Sequence, residues 1–247
     1  MSMHAFYDGK LFDFDLEFHG RTVDANDIHA FTDDFLALAA VDANRRSFED
    51  TNGGIDWMNF TGVSGAVTGA IYAGGIISVN GAFWGTMTDE SIENVYLGDG
   101  NDKLFGSRGD NVMVGARGND QLGGFRGNDT VEGGLGNDRV EGGIGNDRLD
   151  GGLGVDTLTG GTGADTFVFG AGYRRDVIAD FADNVDTIEI SHDLWRPGLT
   201  LSVAQMIARF ATVVGTNVVF DFGAHELTVN FAAAPNMSIF LDDIVIV

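Results

Sequence analysis

Residues 133–141 read GGLGNDRVE and residues 142–150 read GGIGNDRLD, two copies of one nine-residue unit that follow each other directly. The same period runs from Leu97 to Val168 through eight consecutive units. Position four is glycine in every unit, position six is aspartate except at Asn111, and position eight is always apolar. Such a period predicts a solenoid, because stacked units bury a core that no single unit could bury alone.

Each fixed position of the unit has a physical role. Glycine permits loop conformations with positive φ, so that carbonyl oxygens can turn inward. A short strand follows the loop, and its alternation points the position-eight residue toward a shared apolar column. The aspartate meets the carbonyl oxygens, and an all-oxygen cage suits a hard cation such as calcium. Because stacked carboxylates repel one another, the pattern predicts a fold that needs this cation.

The units match the G-G-x-G-x-D-x-U-x nonapeptide, so the chain resembles the RTX (repeats-in-toxin) hemolysin-type calcium-binding repeat proteins. The resemblance implies an all-β fold, a parallel β-roll with capping strands and one or two short helices at the ends. In that family two units make one turn and the ions lie between loops two units apart, which implies roughly five or six calcium ions here.

The resemblance also implies a set of metal ligands. The carboxylate ligands implied within the repeats are Asp102, Asp120, Asp129, Asp138, Asp147, Asp156 and Asp165. The glycines implied to contribute are Gly134, Gly136, Gly143, Gly145, Gly152, Gly154 and Gly163. Asp176 and Asp180, downstream of the repeats, either ligate the last loops or solvate the surface. Earlier units carry Ser107, Ala116 and Phe125 at position two and reverse the usual Asn-Asp order at Asp110 and Asn111, so the occupancy of their sites stays open.

The sequence predicts four segments. Residues 1–45 form an N-terminal strand and capping helix, 46–96 an irregular β lead-in, 97–168 the β-roll, and 169–247 a C-terminal cap with a type I secretion signal. Alternation over residues 10–18 predicts the strand. A helix is expected to begin near Asp24 or Asn26 and to place Ile28, Phe31, Phe35 and Leu38 on one face.

The C-terminal part carries its own pattern. Residues 203–214 suit a short helix, and 217–221 with 226–231 suit a hairpin around Gly223. Residues 163–170, 176–181 and 185–190 resemble the C-terminal region of serralysin-type metalloproteases and the repeat modules of alginate epimerases. The final acidic and apolar residues 241–247 resemble an export signal, and a closing edge strand explains them equally well.

Composition limits the partners. The chain has 14 basic and 37 acidic residues, a formal charge of −23, which argues against nucleic acid or an anionic membrane and favours cations. There is no cysteine for disulfides, no signal-peptide pattern at the N-terminus and no apolar run that would span a membrane. Composition alone would suggest a cytoplasmic protein, whereas the RTX resemblance implies an extracellular protein exported by type I secretion machinery without a cleaved N-terminal signal peptide.

Catalysis is not predicted. The five histidines include no His-Glu-x-x-His pair, and no other catalytic constellation is present. We expect a secreted calcium-binding protein that folds on calcium binding after secretion and has a structural, adhesive or polysaccharide-binding role. The alternative is a non-catalytic folding or secretion module of, or accessory to, a secreted enzyme such as a serralysin-like metalloprotease.

The role of one row of arginines stays open. Arg108, Arg117 and Arg126 occupy position three of three successive units. They either compensate the charge of nearby carboxylates or recognise an acidic extracellular polysaccharide, because guanidinium groups bind carboxylates bidentately.

Overall fold

The structure, a computed structural model, describes residues 28–32, 47–48, 56–87, 92–195, 198–231 and 241–247. In these ranges the chain forms a parallel β-solenoid of about five turns. Successive strands of the repeats alternate between two sheets, so the connecting loops fall alternately on the two edges of the solenoid. The predicted all-β roll is confirmed.

The strands are numbered in chain order. Within the described ranges, the first sheet contains, in spatial order, β1 (Ile28–Thr32), β3 (Trp57–Gly62), β7 (Asn94–Tyr96), β9 (Val112–Val114), β11 (Thr130–Gly136), β13 (Arg148–Gly154), β15 (Thr166–Phe169), β17 (Thr187–Ile190) and β21 (Ile244–Ile246). The second contains β18 (Ala211–Val214), β19 (Asn217–Asp221), β20 (Glu226–Phe231), β16 (Arg175–Phe181), β14 (Thr157–Thr162), β12 (Arg139–Ile144), β10 (Gln121–Arg126), β8 (Lys103–Phe105), β4 (Val67–Ala70), β5 (Ile76–Val79), β6 (Ala82–Met87) and β2 (Ser47–Phe48).

The pairing register follows from the nine-residue period. Each repeat strand pairs in parallel with the strand two units away, so that Val131 lies beside Leu149 and Leu122 beside Val140. Two units therefore make one turn. This register places residues from the same position of the nine-residue unit beside each other. The same arrangement of side chains and carbonyl oxygens is therefore repeated from loop to loop along each edge of the solenoid.

The core is the column of position-eight residues. All of them are buried, with at most 1% of their surface exposed: Leu104, Met113, Leu122, Val131, Val140, Leu149, Leu158 and Phe167. The column continues beyond the repeats into Ile178 and Ile188. Burial of apolar surface contributes about 25 cal/mol per Å², so this column stabilises the fold without a cation.

Antiparallel strands extend the second sheet at both ends. β4, β5 and β6 form a meander at one end, and β18, β19 and β20 form another at the opposite end. The latter confirms the predicted hairpin of 217–221 with 226–231. Helix α1 (Val203–Phe210) begins after Ser202, whose side chain accepts a hydrogen bond from the amide of Gln205. In the parts of the chain that the structure describes, no helix has the length and apolarity to span a bilayer.

One local prediction is wrong, and a second is confirmed only in part. The predicted N-terminal helix includes residues 28–32, which form strand β1 and pair in parallel with β3. The predicted helix over 203–214 ends at Phe210, and the β-branched residues that follow pair with β19 instead. In both places long-range strand pairing overrides a local amphipathic pattern. The predicted strand at 10–18 and the rest of the N-terminal helix lie outside the described residues.

Candidate metal centre

The position-six aspartates form two ladders, one on each edge of the solenoid. In each ladder Oδ1 of one aspartate accepts the main-chain N–H of the equivalent residue one turn earlier, at 2.7–3.0 Å between N and Oδ1. The first ladder consists of Asp102, Asp120, Asp138, Asp156 and Asp176. The second consists of Asn111, Asp129, Asp147, Asp165 and Asp186. One carboxylate oxygen per turn is thus used to hold the stack together.

The other carboxylate oxygen, Oδ2, is buried without a hydrogen-bond partner in eight of these aspartates. They are Asp102, Asp120, Asp129, Asp138, Asp147, Asp156, Asp165 and Asp176. A buried polar atom that lacks a partner costs roughly 1–3 kcal/mol, and more when it is charged. A repeated cost of this size indicates that each Oδ2 has a partner that is not a protein group.

A main-chain oxygen lies close to Oδ2 of three of these aspartates, Asp120, Asp138 and Asp147. A Cβ placed on Gly115 would lie 2.5 Å from Asp120 Oδ2 and 2.3 Å from the carbonyl oxygen of Gly133. The two oxygens are therefore less than about 5 Å apart, a separation that a calcium ion with 2.3–2.6 Å ligand distances can bridge. The same approach recurs at Gly133, whose Cβ would meet Asp138 Oδ2 at 2.6 Å and Gly151 O at 2.7 Å.

Close stacking explains the glycine at position four. A Cβ on Gly136 would lie 1.5 Å from the carbonyl oxygen of Gly118, and one on Gly145 would lie 1.6 Å from that of Gly127. Both glycines have positive φ, at 147° and 146°. A side chain there would push two turns apart, which would separate the oxygens that line the loops.

Burial also changes the acidity of the ladder. It raises the pKa of Asp120 to about 8, and the neighbouring carboxylates of Asp102 and Asp138 add to the increase. Burial likewise raises the pKa of Asp129 and Asp156 to about 7. The charged form of each group is disfavoured because it is desolvated and lies among like charges. A nearby cation would reverse this penalty.

The donor set fits calcium. All of the candidate atoms are carboxylate or carbonyl oxygens, which hard cations prefer. Within the described ranges, no three acidic or histidine side chains converge on one point. Carbonyl oxygens would therefore complete the coordination, as at Gly133 and Gly151.

The structure places the predicted ligands unequally. The seven repeat aspartates and Asp176 all lie in the ladders, and the position-two and position-four glycines line the loops between them. Asp180 differs, because it is exposed and its two oxygens accept the N–H groups of Gly160 and Gly161, at 2.9 Å each. The assignment of individual ligands stays a prediction.

The predicted arginine row divides between the two edges. Arg126 pairs with Ile144 through the main chain on one edge, and Arg117 pairs with Leu135 in a parallel β-bridge on the other. Arg117 Nε is 3.9 Å from Asp99 Oδ1 in a pair that is mostly exposed, which agrees with charge compensation. The Arg126 guanidinium lies 5.9 Å from the ring centre of Phe125.

Sequence reasoning missed a second set of ladders. The position-five side chains accept main-chain N–H groups one turn later, as Asn119 does from Asn137 and Asn128 does from Asn146, at 2.7 and 2.9 Å. It also missed Asp186, which continues the second ladder after a spacing of 21 residues rather than 18. The repeated Asn-Asp dipeptide was a visible signal for the position-five ladders. The altered spacing gave no such signal for Asp186.

Comparison with known proteins supports the repeat assignment. A sequence profile described as the RTX calcium-binding nonapeptide repeat (4 copies) matches residues 88–122, 123–158 and 141–174. A search of curated proteins gave no match. The crystal structure of the extracellular lipase LipA from Serratia marcescens is similar, with a TM-score of 0.36 and 15% identity. That match covers 91% of this chain and 39% of the lipase chain. This chain therefore carries an array of RTX calcium-binding nonapeptide repeats, folded as a parallel β-solenoid.

Proposed function

We propose that this chain is a secreted protein whose solenoid folds when calcium binds to the two aspartate ladders. The observation that supports this most directly is the set of eight buried Oδ2 atoms without a hydrogen-bond partner. Oxygens that repel one another and cannot reach water make the stacked state unfavourable until a cation lies between them.

The carboxylate oxygens and the glycines of the loops have different roles in the proposed switch. Oδ1 of each aspartate fixes the spacing between turns, since it accepts an amide N–H at 2.7–3.0 Å. Glycine at positions one and four leaves room for the close approach of carbonyl oxygens. Bound calcium supplies positive charge to the Oδ2 atoms and to these carbonyls. The free energy of binding then becomes free energy of folding.

The proposed switch suits export through a type I secretion system. Extracellular calcium modules bind with dissociation constants of about 10⁻⁴ to 10⁻³ M, so a chain of this class stays unfolded where calcium is scarce and folds where it is abundant. The export signal would then lie in the C-terminal residues, of which 244–246 form the edge strand β21.

Far-UV circular dichroism tests the switch. In EDTA the chain should lack the β signal, and millimolar calcium should restore it, while magnesium at equal ionic strength should restore much less because it demands a tighter octahedral geometry. An unchanged spectrum after chelation would refute the proposal.

For the role outside the cell, we propose binding of an acidic polysaccharide at the Phe125 edge. Phe125 and Tyr72 are 45% and 39% exposed, and their ring centres are 6.0 Å apart. Arg126 lies over the Phe125 ring and can pair with a carboxylate. Phe125 also has a φ of 82° at a position where the later units have glycine, and a bulky residue with positive φ is an outlier.

Two variants separate this role from folding. Arg108→Ala with Arg126→Ala should abolish calcium-dependent retention on an alginate-like polymer, whereas Arg209→Ala, in helix α1, should not. Phe125→Gly should weaken retention and leave the fold as stable or more stable, because the strained φ is relieved. Wild-type protein that folds with calcium but is not retained would favour the alternative of an accessory module for a secreted enzyme.

A further inference from the structure

The second repeat unit departs from the pattern at two positions that face each other. Ser107 replaces the glycine at position two, and Asn111 replaces the aspartate at position six. Both side chains are buried, with 2% and 1% of their surface exposed. The Asn111 amide N–H still donates to Asp129 Oδ1 at 2.8 Å, so the ladder continues through this residue.

Asn111 is fully hydrogen-bonded where the aspartates are not. Its Oδ1 accepts the N–H of Ser107 at 2.7 Å, and its Nδ2 donates to the carbonyl oxygen of Glu93 at 2.7 Å and to Ser107 Oγ at 3.2 Å. Ser107 Oγ in turn accepts the N–H of Gly109 at 3.2 Å. An aspartate at position 111 could not make the bond to Glu93, because both groups would be acceptors.

The second and third repeat units differ in the oxygen atom that lies near the position-one glycine. In the third unit this atom is Asp120 Oδ2, 2.5 Å from a Cβ built on Gly115 and without a hydrogen-bond partner. In the second unit it is Asn111 Oδ1, at the same 2.5 Å from a Cβ built on Gly106, and it is satisfied by Ser107. Ser107 and Asn111 therefore supply the hydrogen-bond partner that the buried Oδ2 atoms of the other loops lack.

We propose that Ser107 and Asn111 form a hydrogen-bonded closure that replaces a calcium ion in the first turn of the second ladder. This inference rests on the proposed calcium-dependent function. The Nδ2–H group lies between oxygens that would otherwise need a cation, so this loop closes without one. The array consequently binds one ion fewer than an unbroken aspartate ladder would.

The number of bound calcium ions tests the inference, measured by equilibrium dialysis on the whole chain. Asn111→Asp should raise the count by one, because the new carboxylate would face the Glu93 carbonyl without a donor. Asn119→Asp, which adds the same charge at exposed position five, should leave the count unchanged. An unchanged count in Asn111→Asp, with several ions bound by the wild type, would overturn this inference alone. A wild type that binds no calcium would overturn the proposed function as well.

A second measurement does not depend on the variant folding. Crystals of the wild-type chain grown with calcium should show no anomalous signal at the Ser107–Asn111 loop and clear signals beside Asp138 and Asp147. An ion at the Ser107–Asn111 loop would overturn the proposed closure.

Discussion

Substituting Asp138 by asparagine separates the two tasks of a ladder aspartate. Asp138 Oδ1 accepts the N–H of Asp120 at 2.7 Å, while Oδ2 has no hydrogen-bond partner. The amide has nearly the same shape and keeps the acceptor, but it replaces Oδ2 with an NH₂ group that cannot ligate a cation. Asp138→Asn should therefore keep the stacking hydrogen bond and lose one calcium ion.

The magnitude follows from binding linkage. An ion held with a dissociation constant of about 10⁻⁴ to 10⁻³ M contributes about 1.4–2.7 kcal/mol at roughly 10 mM calcium. For a chain of this size that loss lowers the melting temperature by roughly 3–11 °C. The difference between the wild type and Asp138→Asn should also widen by up to about 1.4 kcal/mol for each tenfold increase in calcium.

The assay is thermal unfolding followed by circular dichroism between about 1 and 30 mM calcium, which starts at the upper limit of the dissociation constants given above. Asp221→Asn removes the same charge from an exposed position outside the ladders, where Oδ1 accepts the N–H of Gly223, and should show no calcium-dependent difference. A deficit in Asp138→Asn that stays constant over this range would refute the reasoning, because the lost stability would then not come from an ion.

Two further predictions concern the backbone and the pH. Gly145→Ala should destabilise the calcium-bound fold by about 3 kcal/mol or more, since its Cβ would lie 1.6 Å from the carbonyl oxygen of Gly127. The control Gly215→Ala, at a glycine with positive φ but open space around it, should cost only about 1–2 kcal/mol. Equal losses of stability in chemical denaturation would contradict the stacking argument. Burial raises the pKa of Asp120 to about 8 and that of Asp156 to about 7. Because these folded-state pKa values lie above the usual 3.8, the stability that protonation gives the metal-free fold is complete below about pH 4 and is lost as the pH rises through 7 and 8. The metal-free fold should therefore gain stability as the pH falls from 8 to 5, so the β signal in EDTA should be larger at pH 5 than at pH 8. An EDTA spectrum that is the same at both pH values would count against the raised pKa values.

The sequence by itself determined the solenoid and its core, and it predicted the aspartates that form the buried ladders. Position four is glycine and position eight is apolar in all eight units, and position six is aspartate in seven of them. Stacking with a period of two units satisfies these three requirements together. For example, the clash that excludes a side chain at Gly136 recurs at Gly145. A strictly repeated environment lets local sequence specify three-dimensional neighbours, because residue i always lies beside residue i + 18.

The tertiary structure alone decided what happens where the period fails. β1 is a strand because β3 offers it hydrogen-bond partners, which no local pattern of residues 28–32 reveals. Asp180 accepts the main-chain N–H groups of Gly160 and Gly161, and Asp186 joins the second ladder at a spacing of 21 residues instead of 18. Asn111 looks like a defect of the repeat in sequence, and only the positions of Ser107 and the Glu93 carbonyl show that its bonds are satisfied. Outside the period, a residue's partners depend on how distant segments pack, and the sequence does not encode that locally.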